Sequence, residues 1–354
     1  MADNPATSAT HSSSPRPLAA DDALPAVEPP SAGFIIQLFV VPGVIVAAIV
    51  AVWLAVTWLA QKGDDPARHF QALQQPGPGR WQSAMNLTMA LQGKRHEAFK
   101  RDVKAAADLA AMLDKEIDAA AEIEDKDARE QSITLRQYLA KALGEFYVDA
   151  GIDVLLRAAT TQRTGDEAHV RRFAIQSIAL LAANIAENNP GQRLQHPQLA
   201  ETLLTLSEDD APTIRYETAY ALGTVGGSDL LLRLQELLRD GNADVRYNAA
   251  LGLARHGDPQ VVPVLEEMLD PAQLDAALEL ELLEDGRPFK RALIMNNAMR
   301  ATRLLAEKHP QVDIGALLAA IERLTTSGVD AHIPIAAKTH LHEIRDIQAE
   351  RAAK

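Results

Sequence analysis

Residues 214–226 read IRYETAYALGTVG, and residues 245–257 read VRYNAALGLARHG. The two stretches align without a gap at a shift of 31 residues, and Asp209 and Asp240 precede them at the same shift. The apolar residues of each copy share one face when the stretch is helical. Each copy ends in glycine, which accepts the left-handed backbone conformation at a helix C-terminus. The two stretches therefore predict a helix that repeats along the chain.

Further copies extend the pattern. Residues 135–144, LRQYLAKALG, match the first copy in their arginine, alanine and Leu-Gly positions, and weaker copies begin near Val170 and at Arg80. A second apolar helix is expected after each of the two clearest copies, over residues 229–238 and 259–269. Helix pairs joined by short turns and repeating at about 30–45 residues form an α-solenoid. The predicted fold class is therefore all-α, with an α-solenoid.

The composition agrees with an all-helical chain and excludes several functions. Ala and Leu dominate, and aromatic residues make up 4% of the 354 residues, which favours helices. The net charge of −13 argues against nucleic-acid binding, because that activity requires a basic surface. The chain has no cysteine, which excludes disulfides, thiolate catalysis and cysteine-based zinc sites.

Residues 244–258, DVRYNAALGLARHGD, are followed by Val264, Leu265 and Leu269. This pattern resembles the HEAT-repeat family, and specifically the short variant that also occurs in phycobilisome lyases. The resemblance is most specific over 205–270, and we expect a HEAT/armadillo-like solenoid over 80–350. The resemblance implies that the protein binds other proteins along a curved surface or supports the assembly of larger complexes.

An apolar segment precedes the repeats. Residues 38–60 are 23 residues without a charge, which is long enough to cross a bilayer as a helix. Trp53 and Trp58 lie toward its end, where indoles favour the membrane interface. A buried core helix of this length is uncommon, and a signal peptide normally has a basic start and a shorter apolar stretch. We therefore predict one transmembrane helix over 33–60, with membrane contact through 34–60.

The segments on either side of this helix suggest its orientation. Residues 1–32 have no hydrophobic periodicity and are expected to be disordered, and residues 61–79 are expected to form a linker and a short helix. The nearest basic residues are Arg16 before the span and Lys62, Arg68 and Arg80 after it. Because basic residues favour the cytoplasmic side, the helical domain is expected in the cytoplasm. A periplasmic or luminal helical domain is the alternative.

No phosphate loop, dinucleotide fingerprint, nucleophile elbow or metalloprotease motif is present in the sequence. The nearest metal-site candidate consists of His332, His340, His342 and Glu343. Ligands on one helix must be three or four residues apart, and within this set the spacing suits only His340 with Glu343. We therefore expect no catalytic residue, no metal site, no cofactor and no small-molecule substrate.

Four arginines recur at equivalent points of the repeats: Arg136, Arg171, Arg215 and Arg246. They could bind an acidic ligand, or they could tie the turns between repeats. The second role is favoured because aspartates recur with them. Arg215 is then expected to pair with Asp209. Arg246 is expected to pair with Asp240 or Asp244.

Aromatic residues lie near the starts of the repeated helices, namely Trp81, Tyr138, Phe173, Tyr216 and Tyr247. They could form a binding stripe, but few other large residues are present to fill the core between repeats, so we expect them in that core. Ala219 and Ala250 are small and are expected where neighbouring helices approach closely.

Together these features predict a non-enzymatic scaffold, or adaptor, anchored in a membrane and binding membrane-associated proteins, as an accessory or assembly subunit of a membrane complex. The acidic excess could attract a basic protein partner, or could serve solubility alone. The alternative function, suggested by the repeat type, is a lyase-like or chaperone-like enzyme acting on a protein-bound cofactor.

Overall fold

The structure is a computed structural model that describes residues 32–62, 65–77, 79–162, 167–278, 286–328 and 330–352. Within these ranges the regular secondary structure is helical. The chain divides into two units, Met1–Gly63 and Asp64–Lys354. The predicted disordered tail, residues 1–32, lies outside the described residues except for Ala32.

The α-helices have the following bounds. They are α1 (Ala32–Lys62), α2 (Pro66–Gln74), α3 (Arg80–Leu91), α4 (Glu97–Lys100), α5 (Val103–Ala119), α6 (Lys126–Gly144), α7 (Ile152–Thr160), α8 (Ala168–Asn188), α9 (Leu199–Leu206), α10 (Pro212–Val225), α11 (Ser228–Leu237), α12 (Ala243–Arg255), α13 (Val262–Leu269), α14 (Pro271–Leu278), α15 (Arg287–Lys308), α16 (Gly315–Leu324) and α17 (Ile333–Ala352). Short 3-10 turns occupy Ala120–Glu122 and Pro259–Val261.

Helix α1 is the described part of the first unit. It continues through Pro42 as one helix of 31 residues. Its segment Ile36–Val56 has a mean hydropathy of 2.7, and 0% of that apolar segment is buried. By length and composition, α1 is able to cross a membrane.

The second unit is an α-solenoid with two rows of helices, as predicted. The first row contains α3, α6, α8, α10, α12, α15 and α17, and each of these helices packs against the next. The second row contains α5, α7, α9, α11, α13 and α16, which pack on the same side of the first row's helices. Leucine, isoleucine and alanine side chains from both rows form one continuous core.

Small residues allow the first-row helices to cross closely. A Cβ atom added to Gly223 would lie 2.4 Å from Cα of Gly252, and one added to Gly144 would lie 3.0 Å from Cα of Ser177. We number positions from the recurring arginine of each helix. On that scale Gly144 and Gly223 are at +8, and Ser177 and Gly252 are at +6. The same two positions therefore meet at both crossings.

Two further features of the repeated helix agree with the sequence analysis. Gly226 follows α10 with φ 71°, and Gly257 follows α12 and its cap residue His256 with φ 78°. Both glycines have a positive φ, which glycine adopts more readily than other residues. Ala219 and Ala250 are fully buried in the core.

Candidate binding surface

The four recurring arginines form ion pairs between repeats. Arg136 donates two hydrogen bonds of 2.7 Å to the carboxylate of Glu167, and both side chains are buried. Arg171 bonds to Asp209 at 2.5 Å, and Arg246 bonds to Glu267 at 2.5 Å. Each arginine thus reaches a carboxylate that lies further along the chain.

The predicted side-chain pairing of Arg215 with Asp209 is wrong. The Nε and Nη2 atoms of Arg215 donate to Asp240 at 2.8 and 2.9 Å, whereas Nη1 donates to the backbone carbonyl of Asp209 at 2.9 Å. Arg246 likewise meets only the backbone carbonyl of Asp240, at 3.0 Å, and Asp244 pairs with Lys290 instead. The carboxylates of Asp209 and Asp240 each accept from the arginine of the preceding repeat. Their backbone carbonyls each accept from the arginine of the same repeat. Each of these arginines therefore pairs with the carboxylate of the following repeat, and not with that of its own repeat as predicted.

Burial and hydrogen bonding act in opposite directions on the pKa of Asp240. Burial alone would raise this pKa, but the hydrogen bonds from Arg215 and from the amide of Asn242 favour the charged form and lower it below the ordinary value. The same hydrogen bond raises the pKa of Arg215. This pair is therefore charged on both sides.

The aromatic residues near the starts of the repeated helices, which we expected in the core between repeats, divide into two sets. Trp81, Tyr216 and Tyr247 are at position +1, counting Arg80 as the arginine of α3, whereas Tyr138 and Phe173 are at +2. Tyr247 is buried, as the core interpretation predicts, and its hydroxyl donates to Glu267 at 2.8 Å. Trp81, Tyr138 and Tyr216 pack against the core while half-buried. The +1 and +2 positions point in different directions, so the five rings do not form one stripe.

The histidines of α17 form separate pairs. His340 contacts Glu343 through Nδ1 at 3.2 Å, and His342 lies 3.5 Å from Asp346. His332 is exposed at the start of the helix. Across the described residues, no group of three or more His, Cys, Asp or Glu side chains is placed to hold a metal ion.

Positions +2, +5 and +9 of the first-row helices share one side of each helix, because α-helical residues advance by about 100°. We call this surface the open face. On α6, α8, α10 and α12 it consists of Tyr138, Lys141, Glu145, Phe173, Gln176, Leu180, Glu217, Tyr220, Thr224, Asn248, Leu251 and Arg255. The same spacing from Arg291 on α15 adds Leu293, Asn296 and Arg300. Most of these side chains are half-buried, and they touch one another from helix to helix. The sequence analysis missed this set, although its spacing from the arginines could have identified it.

The carboxylates of the open face have partners within the protein. Gln176 donates to Glu217 at 2.5 Å, and Nε of Arg172 lies 3.5 Å from the same carboxylate. Burial raises the pKa of Glu217, opposed by the Gln176 hydrogen bond and the Arg172 charge. Glu145 lies 3.3 Å from the buried ammonium of Lys100, and burial raises its pKa as well.

The cations of the open face lie over aromatic rings. Nζ of Lys141 is 3.8 Å from the ring centre of Phe173 and 5.2 Å from that of Tyr138. The guanidinium of Arg255 is 5.1 Å from the ring centre of Tyr220. Among the described residues, no carboxylate lies within 4.0 Å of either cation. Burial, followed by the charge of Arg172, lowers the pKa of Lys141.

Comparison with known proteins supports the repeat assignment. A search of curated proteins found no match. Among solved structures the chain is similar to human deoxyhypusine hydroxylase in complex with glycerol, with 16% identity and a TM-score of 0.32 over 83% of this chain and 99% of that chain. It is also similar to an archaeal HEAT-like repeats protein from Thermococcus onnurineus NA1, with 14% identity and a TM-score of 0.41 over 80% and 98% of the two chains. A third similar structure is Kap121p, with 16% identity and a TM-score of 0.44 over 81% of this chain and 30% of that chain. Residues 199–282, which include α9 to α14, match the family model of HEAT repeats.

Proposed function

We propose that the protein is a non-enzymatic scaffold, anchored to a membrane by α1, whose solenoid binds a membrane-associated protein partner. We also propose that its repeats belong to the short variant seen in phycobilisome lyases, because its two clearest copies are 31 residues apart. An accessory or assembly subunit of a membrane complex would have this organisation.

The observation that carries the anchoring proposal is the unburied apolar surface of α1. The segment Ile36–Val56 is 21 residues long and none of it is buried, and Trp53 near its end is 63% exposed. Such a surface in water would be unfavourable by about 25 cal/mol for each Å² of apolar area. A bilayer removes this cost and places the indole at the interface.

The binding proposal rests on the open face. It spans several repeats, no described second-row helix packs over it, and it combines aromatic, apolar and charged side chains. Its ionisable groups contact neighbouring helices and rings, and this supports recognition rather than chemistry. Anchoring confines this surface to the bilayer, which raises its effective concentration toward a membrane partner without adding contacts.

Exchange of the anchor tests this proposal. In a variant whose residues 34–60 are replaced by an unrelated membrane helix, we expect affinity purification in mild detergent to recover the same partners as the unchanged protein. Deletion of residues 1–31 should also leave the recovered partners unchanged. If the exchange abolished every partner while circular dichroism showed the solenoid intact, α1 would be the recognition element, packing through small residues such as Gly43 and Ala47.

The rival enzyme function makes a different prediction. A lyase acting on a protein-bound chromophore should change the absorbance spectrum of a bilin when the two are incubated together with an acceptor protein. We expect no change in the spectrum. A time-dependent change that required the folded protein would contradict the non-enzymatic proposal.

A further inference from the structure

The charges of the open face that lack a partner have the opposite sign to the net charge of the whole chain. The chain as a whole carries a net charge of −13. On the open face, however, Glu217 and Glu145 are already held by Arg172 and Lys100. Among the residues that the structure describes, the charges left without a counter-ion there are positive.

Three cations are in this position at the described part of the open face: Lys141 on α6, Arg255 on α12 and Arg300 on α15. Lys141 is half-buried, lies over Phe173 and lines a cleft with Gln176, Leu180 and Glu145, whose carboxylate is paired with Lys100. Arg255 donates to the hydroxyl of Thr224 at 2.9 Å, which is a neutral partner. A carboxylate arriving at either site would gain a charge-assisted hydrogen bond without displacing an existing ion pair.

The surface between the two sites is mostly apolar or neutral, and its one carboxylate, that of Glu217, is buried against Gln176 and Arg172. Between α6 and α12 the face presents Leu180, Tyr220 and Leu251, among others. Three helix-to-helix steps of about 8–10 Å separate α6 from α12, so the cations are about 24–30 Å apart. An extended peptide covers that distance in about eight or nine residues, at about 3.3 Å per residue.

We infer that the open face binds an extended acidic segment of a partner protein, with carboxylates at Lys141 and at Arg255 and with apolar or neutral residues between them. This inference rests on the proposed scaffold function and specifies its partner. Of the two roles left open for the acidic excess, it disfavours attraction of a basic partner. A phospholipid headgroup fits less well, because Lys141 is half-buried in a cleft between helices and lies over a ring, rather than projecting from a flat surface.

The test is fluorescence anisotropy with the full-length protein in a non-ionic detergent. The probe is a fluorescein-labelled peptide of about twelve residues with two glutamates at each end and Leu, Tyr and Gln between them. Two matched peptides carry glutamine or lysine in place of every glutamate. We expect only the acidic peptide to bind, and its affinity to fall as salt is raised.

Variants then locate the site. Lys141→Met and Arg255→Met should each weaken binding of the acidic peptide about tenfold, because each removes one charge-assisted contact. Lys141→Arg should retain binding, since it retains the charge. Lys104→Met is the matched control, because Lys104 is an exposed lysine of α5 in the second row. In a Lys141→Glu, Arg255→Glu variant the preference should change to the lysine peptide, and this gain of binding requires a folded protein.

Several results would overturn the inference. They are equal binding of the glutamine peptide, an equal loss in Lys104→Met, or Lys141-dependent binding of vesicles containing phosphatidylserine in place of the peptide. The double variant Lys141→Met, Arg255→Met also separates the two proposals. If it still recovers the natural partners, the scaffold function stands and the acidic-segment inference fails. If the unchanged protein recovers no partner, the scaffold function fails, while the peptide measurement still decides whether the acidic site exists.

Discussion

The Arg136–Glu167 pair shows what the recurring arginines contribute. Both side chains are almost fully buried and meet through two parallel hydrogen bonds of 2.7 Å. Desolvation of two charges is costly, so such a pair adds little net stability compared with well-packed apolar residues. Its geometry nevertheless requires that α6 and the start of α8 meet in one register. The arginines therefore fix how successive repeats are stacked.

Removal of one member of this pair should be strongly destabilising. Arg136→Met leaves the Glu167 carboxylate buried without its partner, and we expect the free energy of unfolding to fall by about 3–5 kcal/mol. Chemical denaturation of the full-length protein in detergent, followed by circular dichroism, measures this change.

The control for that experiment is Lys126→Met. Lys126 forms an exposed pair with Glu130 on the same helix, at 3.7 Å, and its loss should cost no more than about 0.5 kcal/mol. In the double variant Arg136→Met, Glu167→Leu, much of the lost stability should return. If the double variant were as unstable as the sum of the two single variants, the pair would not be acting as a unit.

The Arg215–Asp240 pair should respond to acid. Since the folded pKa of Asp240 is lowered, this carboxylate contributes stability above its unfolded pKa of about 3.9 and loses that contribution as the pH falls below this value. Asp240→Asn should therefore be less stable than the unchanged protein at pH 7, and the difference should shrink toward pH 3. A difference that is constant across this range would show that the charge of Asp240 is not what stabilises the repeat junction.

At the scale of the helices, close crossings depend on glycine. A Cβ atom at position 223 would meet the backbone of Gly252 at 2.4 Å, and a backbone cannot move aside as a flexible side chain can. We expect Gly223→Ala to force α10 and α12 apart and to lower the free energy of unfolding by about 1–3 kcal/mol or more. Thermal melting of the full-length protein measures the loss.

Gly241→Ala is the matched change, because nothing lies within 4 Å of the Cβ that it would add. Its effect on stability should stay within about 0.5 kcal/mol. Equal melting temperatures for the two alanine variants would mean that α10 and α12 do not cross at Gly223.

The repeat alignment predicted the helices of the solenoid and the burial of Ala219 and Ala250. It did not predict that Gly223 faces Gly252, or that Arg215 reaches Asp240. Alignment identifies equivalent positions within each repeat, whereas contact between repeats depends on how far one helix is displaced along the next. That offset pairs position +8 with +6, and it is set by packing in three dimensions. The open face was missed for a related reason, since aromatic residues at +1 and +2 were taken as one set.

If α1 is the membrane anchor, its insertion into the bilayer should require an uninterrupted apolar surface. Ile49 lies near the middle of Ile36–Val56 and is 63% exposed. Arginine at such a central position costs about 2.5–3.5 kcal/mol on insertion. We expect Ile45→Arg together with Ile49→Arg to move much of the full-length protein out of the carbonate-resistant membrane fraction, while Ile45→Leu with Ile49→Leu leaves it there. If the arginine variant stayed fully membrane-bound, α1 would not be the anchor.

At the scale of the whole molecule, the proposed anchor favours a negative net charge, whereas the open face contains cations. In the proposed membrane-anchored arrangement, the excess of acidic residues would favour solubility of the solenoid and would repel anionic lipid headgroups. Lys141 and Arg255, which have no counter-ion among the described residues, are held in half-buried positions of the open face, where aromatic rings partly stabilise them. An acidic partner segment would therefore be recognised by these cations alone. The net negative charge of the rest of the protein would repel other acidic proteins.

For the proposed membrane anchor, the basic residues that flank α1 predict on which side of the membrane the solenoid lies. Arg16 precedes the span, while Lys62, Arg68 and Arg80 follow it, and basic residues close to a span remain in the cytoplasm. We expect protease added to intact cells or spheroplasts to leave the solenoid undigested. Substitution of the three following residues by glutamine, together with Ser31→Lys and Ala32→Lys, should reverse the bias and expose the solenoid in part of the population. Lys94→Gln with Lys126→Gln, which lie beyond the about 20 residues over which flanking charge acts, should change nothing. Digestion of the solenoid in the unchanged protein would place it on the periplasmic or luminal side, where an acidic partner segment would have to be sought as well.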